Sequence, residues 1–286
     1  MNTCAIWDNR LANSFLEFDN PALAMAEILE MLDCMSQWRT KRCVSESFYN
    51  ATGFADWLYN HSGHVELRDM KKEISIALEK SENITNIEYM QLLEKIDKQD
   101  CKRKLLLSIH SVSENELYIC SVQRYYAAKQ WYLARYTSKM DFVESAKESF
   151  PHLFFHANVK SSINTLNNKF DGIRALIVAH LTALDQFRNE FARLLASGNN
   201  FQKLGEQFSR YSKFECSPQA GRKTVQHLKY MFVDVGKAGV ELLCEMHTKL
   251  KPPHMDSENQ DRIYFHPGYP NVEDGKVLIV FIGTHQ

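Results

Sequence analysis

The sequence lacks most of the signals that assign a chain to an enzyme class. Its 286 residues contain no P-loop and no G-x-S-x-G nucleophile elbow, which excludes P-loop nucleotide hydrolysis and argues against an α/β-hydrolase. The seven cysteines are scattered without a C-x-x-C pair, so neither a disulfide framework nor a zinc site is indicated. No H-E-x-x-H motif is present, and we expect no metal site and no cofactor.

Long apolar runs and an excess of one charge are also missing. The run at 277–282 is far shorter than the ~18 residues that a membrane span needs. The first residues do not have the pattern of a signal peptide. With 34 Lys and Arg against 35 Asp and Glu, any nucleic-acid binding must use a local patch. We expect a cytoplasmic protein without membrane contact.

Helical periodicity dominates the first three quarters of the chain. Apolar residues recur at positions i, i+3, i+4 and i+7 most clearly over 171–196, where one long helix is predicted. A compact apolar run, turn-forming residues and a second apolar run predict a β-hairpin near 105–122. We therefore predict a mainly helical domain over residues 1–212.

The pattern changes after Ser212. A short strand at 214–218 and a short helix at 221–230 are followed by three predicted strands, at 240–251, 261–266 and 276–283, with Pro- and Gly-rich turns after the first two. The fold class that we predict is α+β: a mainly helical N-terminal body and a small antiparallel sheet domain over 213–286.

One face of this predicted sheet has a composition suited to phosphodiester chemistry. Because side chains alternate along a strand, residues two apart share a face. The residues that this rule groups are His247, Lys249, Lys251, Arg262, Tyr264 and His266. Lys and Arg can hold a phosphate, and His or Tyr can move protons. The alternative is that these side chains only cover a solvated sheet face; the lack of acidic residues among them favours the functional interpretation.

The same segment resembles a known family. A short strand, a helical turn and three strands ending in Gly283-Thr284-His285 resemble the RelE/HigB-like toxin fold, over about the last quarter of the chain. The resemblance implies a small bacterial ribonuclease that acts without metal, often at the ribosome. It also implies that Lys249 and Lys251 bind and polarise the phosphate and that Arg262 stabilises the transition state. The residues that it implies as acid or base are His247, Tyr264, His266 and His285.

Function is thus expected to be RNA cleavage by a toxin-like effector, in bacterial antiphage defence or in a toxin–antitoxin pair. RNA or the ribosome, and a protein partner or antitoxin, are the expected partners. A non-catalytic RNA- or protein-binding subunit of a defence complex is the alternative, and a structural scaffold is a third possibility. Loss of RNA cleavage in a folded Arg262→Ala variant would distinguish the ribonuclease from the binding subunit and the scaffold.

Overall fold

The computed structural model describes residues 3–17, 21–50, 52–60, 64–99, 104–108, 115–219, 225–251 and 260–285. The chain divides into two compact units, Met1–Tyr132 and Leu133–Gln286. Helices and strands occur in both, so the mixed α+β class is confirmed. The predicted boundary near Ser212 differs from this division, because the long helix over 171–196 shares a hydrophobic core with the C-terminal strands.

The first unit is built on a parallel sheet, which the sequence analysis did not predict. Its strands are β1 (Cys4–Trp7), β2 (Lys41–Ser45), β3 (Glu82–Ile84), β4 (Lys104–Leu107) and β5 (Tyr118–Ile119). Their order across the sheet is β3-β2-β1-β4-β5, and each adjacent pair is parallel. All four residues of β1 are buried, as expected for a sheet covered on both faces.

The predicted hairpin near 105–122 is corrected by this topology. Residues 109–114 lie outside the described residues, but Leu106 and Leu107 pair in parallel with Tyr118 and Ile119. A hairpin that is solvated on one face alternates apolar and polar residues, whereas Leu105, Leu106 and Leu107 are all buried. The uninterrupted apolar run was therefore the signal for a central parallel strand.

The helices of this unit are α1 (Asn9–Glu17), α2 (Pro21–Gln37), α3 (Phe54–Tyr59), α4 (Val65–Glu79), α5 (Asn86–Asp97) and most of α6 (Val122–Tyr136), which ends in the second unit. A 3-10 helix spans Glu46–Asn50. Pro21 begins α2, at a position where its missing N–H is not needed. Thr85 and Glu88 form a reciprocal capping box at the start of α5. Trp7 is fully buried in the core, where its indole N–H donates to Ser81 Oγ at 3.0 Å.

The second unit contains a five-stranded sheet and a separate hairpin. The strands are β6 (Leu153–Phe155), β7 (Cys216–Pro218), β8 (Lys229–Val233), β9 (Gly239–Leu243), β10 (Met246–Leu250), β11 (Asp261–His266) and β12 (Val277–Gly283). The sheet order is β6-β12-β11-β10-β7, in which only the β6–β12 pair is parallel. Strands β8 and β9 form the antiparallel hairpin.

Two predictions for this region need correction. The single strand expected at 240–251 is two strands, β9 and β10, because Cys244 and Glu245 interrupt it. Residues 221–224 of the expected helix at 221–230 lie outside the described residues; Val225–Leu228 is a 3-10 helix and Lys229 begins β8. The buried face of the β8–β9 hairpin packs against Tyr264, Leu278 and Val280, so it covers part of the sheet face that was expected to be solvated.

The opposite face of the sheet is covered by helices. The helices of the second unit are α7 (Phe142–Ser149), α8 (Val159–Ser162), α9 (Phe170–Ala196) and α10 (Phe201–Ser212), with 3-10 turns at Ile163–Thr165 and Glu273–Gly275. The predicted long helix is confirmed as α9. Gly205 of α10 lies so close to β7 that a Cβ there would be 2.9 Å from the carbonyl oxygen of Cys216. Among the described residues, no helix is both long enough and apolar enough to span a membrane.

Candidate functional site

Strands β10 and β11 place the predicted site residues next to one another. His247 is opposite Tyr264 and Lys249 is opposite Arg262 in an antiparallel register. Met246, Ile263 and Phe265 point to the other face and pack in the helix-covered core. The predicted alternation of faces is therefore confirmed for Met246 on β10 and for Ile263 and Phe265 on β11. It brings the imidazole of His247, the ammonium of Lys249 and the guanidinium of Arg262 to one face.

Arg262 and His247 are in direct contact. Arg262 Nη1 lies 3.2 Å from His247 Nε2. Because a guanidinium only donates, this imidazole nitrogen accepts, and Nδ1 is left to donate to the carbonyl of Glu245 at 3.5 Å. Burial, with a contribution from the Arg262 charge, lowers the pKa of His247 to about 4. At neutral pH His247 is thus an uncharged acceptor that holds the guanidinium in place.

Gln219, which the sequence analysis did not single out, connects Arg262 to His285. Its Oε1 accepts from Arg262 Nη1 at 3.2 Å, and its Nε2 lies 3.3 Å from His285 Nε2. The backbone N–H of Gln219 donates to the carbonyl of Glu245, which fixes the residue beside β10. Nothing in the local sequence marks Gln219, because its role depends on the pairing of β7 with a distant strand.

Glu215 pairs with both lysines of the site and offsets one of their two charges. Its carboxylate oxygens accept hydrogen bonds from Lys249 Nζ and Lys251 Nζ, and these two bonds hold the pKa of Glu215 below its usual range. The backbone N–H of Lys249 also donates to the Glu215 carbonyl at 3.1 Å. The observation that the face lacks acidic residues is therefore corrected: strand pairing supplies an acid from another part of the sequence.

Tyr264 and His266 occupy different surroundings from Arg262. Tyr264 is fully buried, with its ring between those of His247 and Phe281. His266 contacts the rings of Phe201 and Tyr269, and its Nδ1 accepts from the backbone N–H of Gly268. Burial lowers the pKa of His266 to about 4. The structure thus groups His247, Lys249, Arg262 and His285, and places His266 outside that group; the catalytic roles of all six remain predictions.

Arg262 and His285 differ in burial. Within the described part of the chain, Arg262 Nε is buried and has no hydrogen-bond partner. A buried N–H without an acceptor costs roughly 1–3 kcal/mol, and an anion would recover this only after a movement that exposes Nε. His285 is exposed, and burial together with the charges of Arg262 and Lys249 lowers the pKa of its imidazole. His285 is therefore neutral at physiological pH and accessible.

A cavity of about 530 Å³ lies in the same unit. It is lined by Asn158, Ser161, Ser162, Thr165, His227, Lys229, Tyr230 and Phe281. Phe281 is shared between this cavity and the Tyr264 ring, so the cavity adjoins the face that carries Arg262. Its aromatic rings suit a base, whereas its Lys229 ammonium already donates to Glu241 at 3.0 Å and would have to leave that carboxylate to hold a phosphate.

The first unit contains a second polar group, at the carboxyl end of β1. Asp8 is fully buried and accepts from Arg10 through both carboxylate oxygens at 2.6–3.0 Å. It also accepts from the backbone N–H of Arg10 at 3.0 Å and from Tyr89 Oη at 3.3 Å. Asp8 therefore caps the start of α1 and is saturated by internal donors.

Comparison of the chain with protein-family models, curated proteins and solved structures finds no match. The interpretation of the site therefore rests on its own geometry. In the ranges that the structure describes, no three His, Cys, Asp or Glu side chains are grouped closely enough to hold a metal ion.

Proposed function

We propose that the second unit cleaves RNA in the manner of a RelE/HigB-like toxin, without a metal, and that the protein is an effector of bacterial antiphage defence or of a toxin–antitoxin pair. The observation that carries this proposal is the cross-strand pair of Lys249 and Arg262, which Gln219 connects to His285. The positive charges of Lys249 and Arg262 near neutral His285 suit a phosphodiester. The phosphate, and the negative charge that develops on it during cleavage, both need hydrogen-bond donors.

Arg262 is the central residue of the proposed reaction. Its guanidinium binds a non-bridging phosphate oxygen, while His247 and Gln219 hold its orientation. Neutral His285 exchanges the contact of its Nε2 with Gln219 for the ribose 2′-hydroxyl and takes the proton of that hydroxyl. The 2′ oxygen then bonds to phosphorus as the P–O5′ bond breaks, and a lysine ammonium supplies a proton to the departing 5′ oxygen. The products are a 2′,3′-cyclic phosphate and a 5′-hydroxyl.

Glu215 competes with the substrate in this scheme. RNA phosphates must replace its carboxylate at Lys249 and Lys251, whose side chains are 23% and 52% exposed. Substrates with several neighbouring phosphates are favoured over mononucleotides, because they can engage Arg262 and both lysines together.

The test uses the full chain, a fluorogenic RNA oligonucleotide and a chelator in the buffer. Arg262→Gln should lower the cleavage rate roughly 100-fold or more, as loss of a transition-state donor does. His285→Gln should lower it on the same scale, and the cyclic phosphate should be seen by mass spectrometry. Lys249→Met removes the ammonium opposite Arg262. Its matched control is Lys147→Met, because Lys147 also pairs with a glutamate but lies on α7, away from β10 and β11. Equal activity of wild type and Arg262→Gln would exclude this site.

A second candidate function is a non-catalytic RNA- or protein-binding subunit. The observation that favours it is the outer face of the β8–β9 hairpin, where Met231, Val233 and Val235 are 57%, 57% and 71% exposed. Exposed apolar residues in series are typical of protein-binding surfaces. This function predicts salt-sensitive RNA association, or capture of a protein partner through the hairpin, with no RNA product under any condition that supports binding.

A further inference from the structure

Two cysteine side chains of the first unit are in contact. Cys4 is on β1 and Cys43 is on β2, and their Sγ atoms are 3.1 Å apart. The register pairs Cys4 with Lys41 and Ile6 with Cys43, so the two cysteines lie diagonally on one face of adjacent parallel strands. Both are free thiols, and each residue is only 6% exposed.

A cavity gives small molecules access to this pair. Its volume is about 730 Å³, and Cys4 and Cys43 both line it. Lys41, Lys95 and Lys104 also line it, with Glu82 and Glu88. The thiols are therefore shielded from macromolecules but accessible to small polar reagents. Cys216 and Cys244 are buried, and burial raises the pKa of both thiols.

The environment makes the two thiols unequal. A hydrogen bond from the Cys43 thiol to the Cys4 sulfur, helped by the charges of Lys104 and Lys41, lowers the pKa of Cys4 to about 7 against the opposing effect of burial. The same contact, together with burial, raises the pKa of Cys43. In the sheet register Cys4 is opposite Lys41 on one side and Lys104 on the other, and these positive charges favour its thiolate. Cys4 is therefore the nucleophile of the pair, since the thiolate is the reactive form, and Cys43 holds the proton.

We propose that Cys4 and Cys43 are a redox-active dithiol that a small peroxide converts into a disulfide. The Cys4 thiolate attacks one peroxide oxygen, so that an S–O bond forms, the O–O bond breaks and the other oxygen leaves as water after protonation. The Cys43 sulfur then attacks the sulfenic acid on Cys4. The S–S bond forms as the S–O bond breaks, and the released hydroxide takes the Cys43 proton to give a second water. The two thiols supply the two electrons that reduce the peroxide.

The position of the pair favours a reversible bond. Diagonal neighbours in a sheet have Cα atoms roughly 7–8 Å apart, which exceeds the usual span of a disulfide. Closing the bond pulls β1 and β2 out of their relaxed register, and strained disulfides are the readily reduced ones. A low-molecular-weight thiol therefore restores the dithiol, which is the behaviour of a sensor and not of a structural crosslink.

Peptide mapping of the full chain tests the proposal directly. The protein is treated with hydrogen peroxide, blocked with N-ethylmaleimide and digested with trypsin, which cleaves after Arg10 and Arg42 and so separates Cys4 from Cys43. We expect the linked peptide pair as the main product, with its loss on addition of dithiothreitol. Accumulation of Cys4 as sulfinic acid without the linked pair, or preferential oxidation of Cys34 or Cys120, overturns the proposal.

Alkylation kinetics give an independent readout. The rate of Cys4 alkylation by iodoacetamide should follow a titration with its midpoint near pH 7, set by the pKa of about 7. Cys43→Ala removes the stabilising hydrogen bond, so the midpoint should rise toward roughly 8.5 and the rate at pH 7 should fall several-fold. Cys34→Ala, on α2, is the matched control and should leave the profile unchanged. An unshifted midpoint in folded Cys43→Ala contradicts the proposal, and if that variant does not fold, the wild-type peptide map decides.

Discussion

Asp8 and Arg262 each lie among charged and polar side chains. The two clusters differ in how completely their hydrogen bonds are made. Asp8 is saturated by the side chain and backbone of Arg10 and by Tyr89. Arg262 donates to two neutral acceptors, and its Nε has no partner among the described residues. A saturated polar group stabilises a fold, whereas a buried donor without a partner needs another explanation. On the proposed function, the comparison separates a structural polar group from a functional one by their contacts.

The largest effect on stability is expected from Asp8→Ala. The change removes the cap of α1 and leaves Tyr89 Oη without its acceptor, which should cost about 2–3 kcal/mol in the first unit. Asp8→Asn keeps an acceptor for the cap and should cost about 1 kcal/mol. Urea denaturation of both variants measures the difference. If Asp8→Ala is as stable as wild type, the group is not structural and the comparison fails.

An intermediate effect on the free energy of unfolding is expected when the pH is lowered. His247 has an ordinary pKa of 6.5 and a folded pKa of about 4, so the unfolded chain binds a proton first as the pH falls. The stabilising contribution of neutral His247 is complete above about pH 6.5 and is lost as the pH falls toward 4. Between pH 7 and 5, wild type should lose roughly 1–2 kcal/mol more stability than His247→Gln. His64→Gln, at an exposed histidine, should behave as wild type; identical acid sensitivity in all three proteins contradicts this assignment.

The smallest effect on stability is expected from Arg262→Gln. Its Nε has no bond to lose, and the shorter Gln side chain leaves space in which water can donate to buried His247 and to Gln219, so the loss should be below about 1 kcal/mol. Urea denaturation measures it beside the cleavage assay. Stability close to wild type combined with lost cleavage sharpens the contrast with Asp8. A loss as large as that of Asp8→Ala would instead make Arg262 a structural residue.

The periodicity of apolar residues was sufficient to predict those helices and strand faces whose pattern lies within one short segment of sequence. The apolar stripe over 171–196 predicted α9 to within a residue at its start. Alternation in β10 and β11 predicted which side chains share a face, and their pairing places Lys249 opposite Arg262. In both cases the residues that carry the signal belong to one element or to two neighbouring strands.

Contacts between distant parts of the sequence were not predictable in the same way. Strand β1 is short and buried on both faces, so it shows neither helical nor alternating periodicity. Glu215 and Gln219 reach the site only because β7 pairs with β10. The alternation along β11 places Tyr264 on the same face as Arg262, but the β8–β9 hairpin covers Tyr264. Each of these features depends on tertiary pairing that one sequence does not encode locally.

The place of β12 in the sheet has a consequence during protein synthesis. It follows the other described strands in sequence, and it pairs with β6 on one side and with β11 on the other. Until the ribosome has made Val277–Gly283, β6 and β11 have no strand between them. Pairing across such sequence distances is slow to form, while residues are added at roughly 5–20 per second. The sheet, and with it the register that sets Lys249 opposite Arg262, is therefore completed only after β6, β10 and β11 have been made.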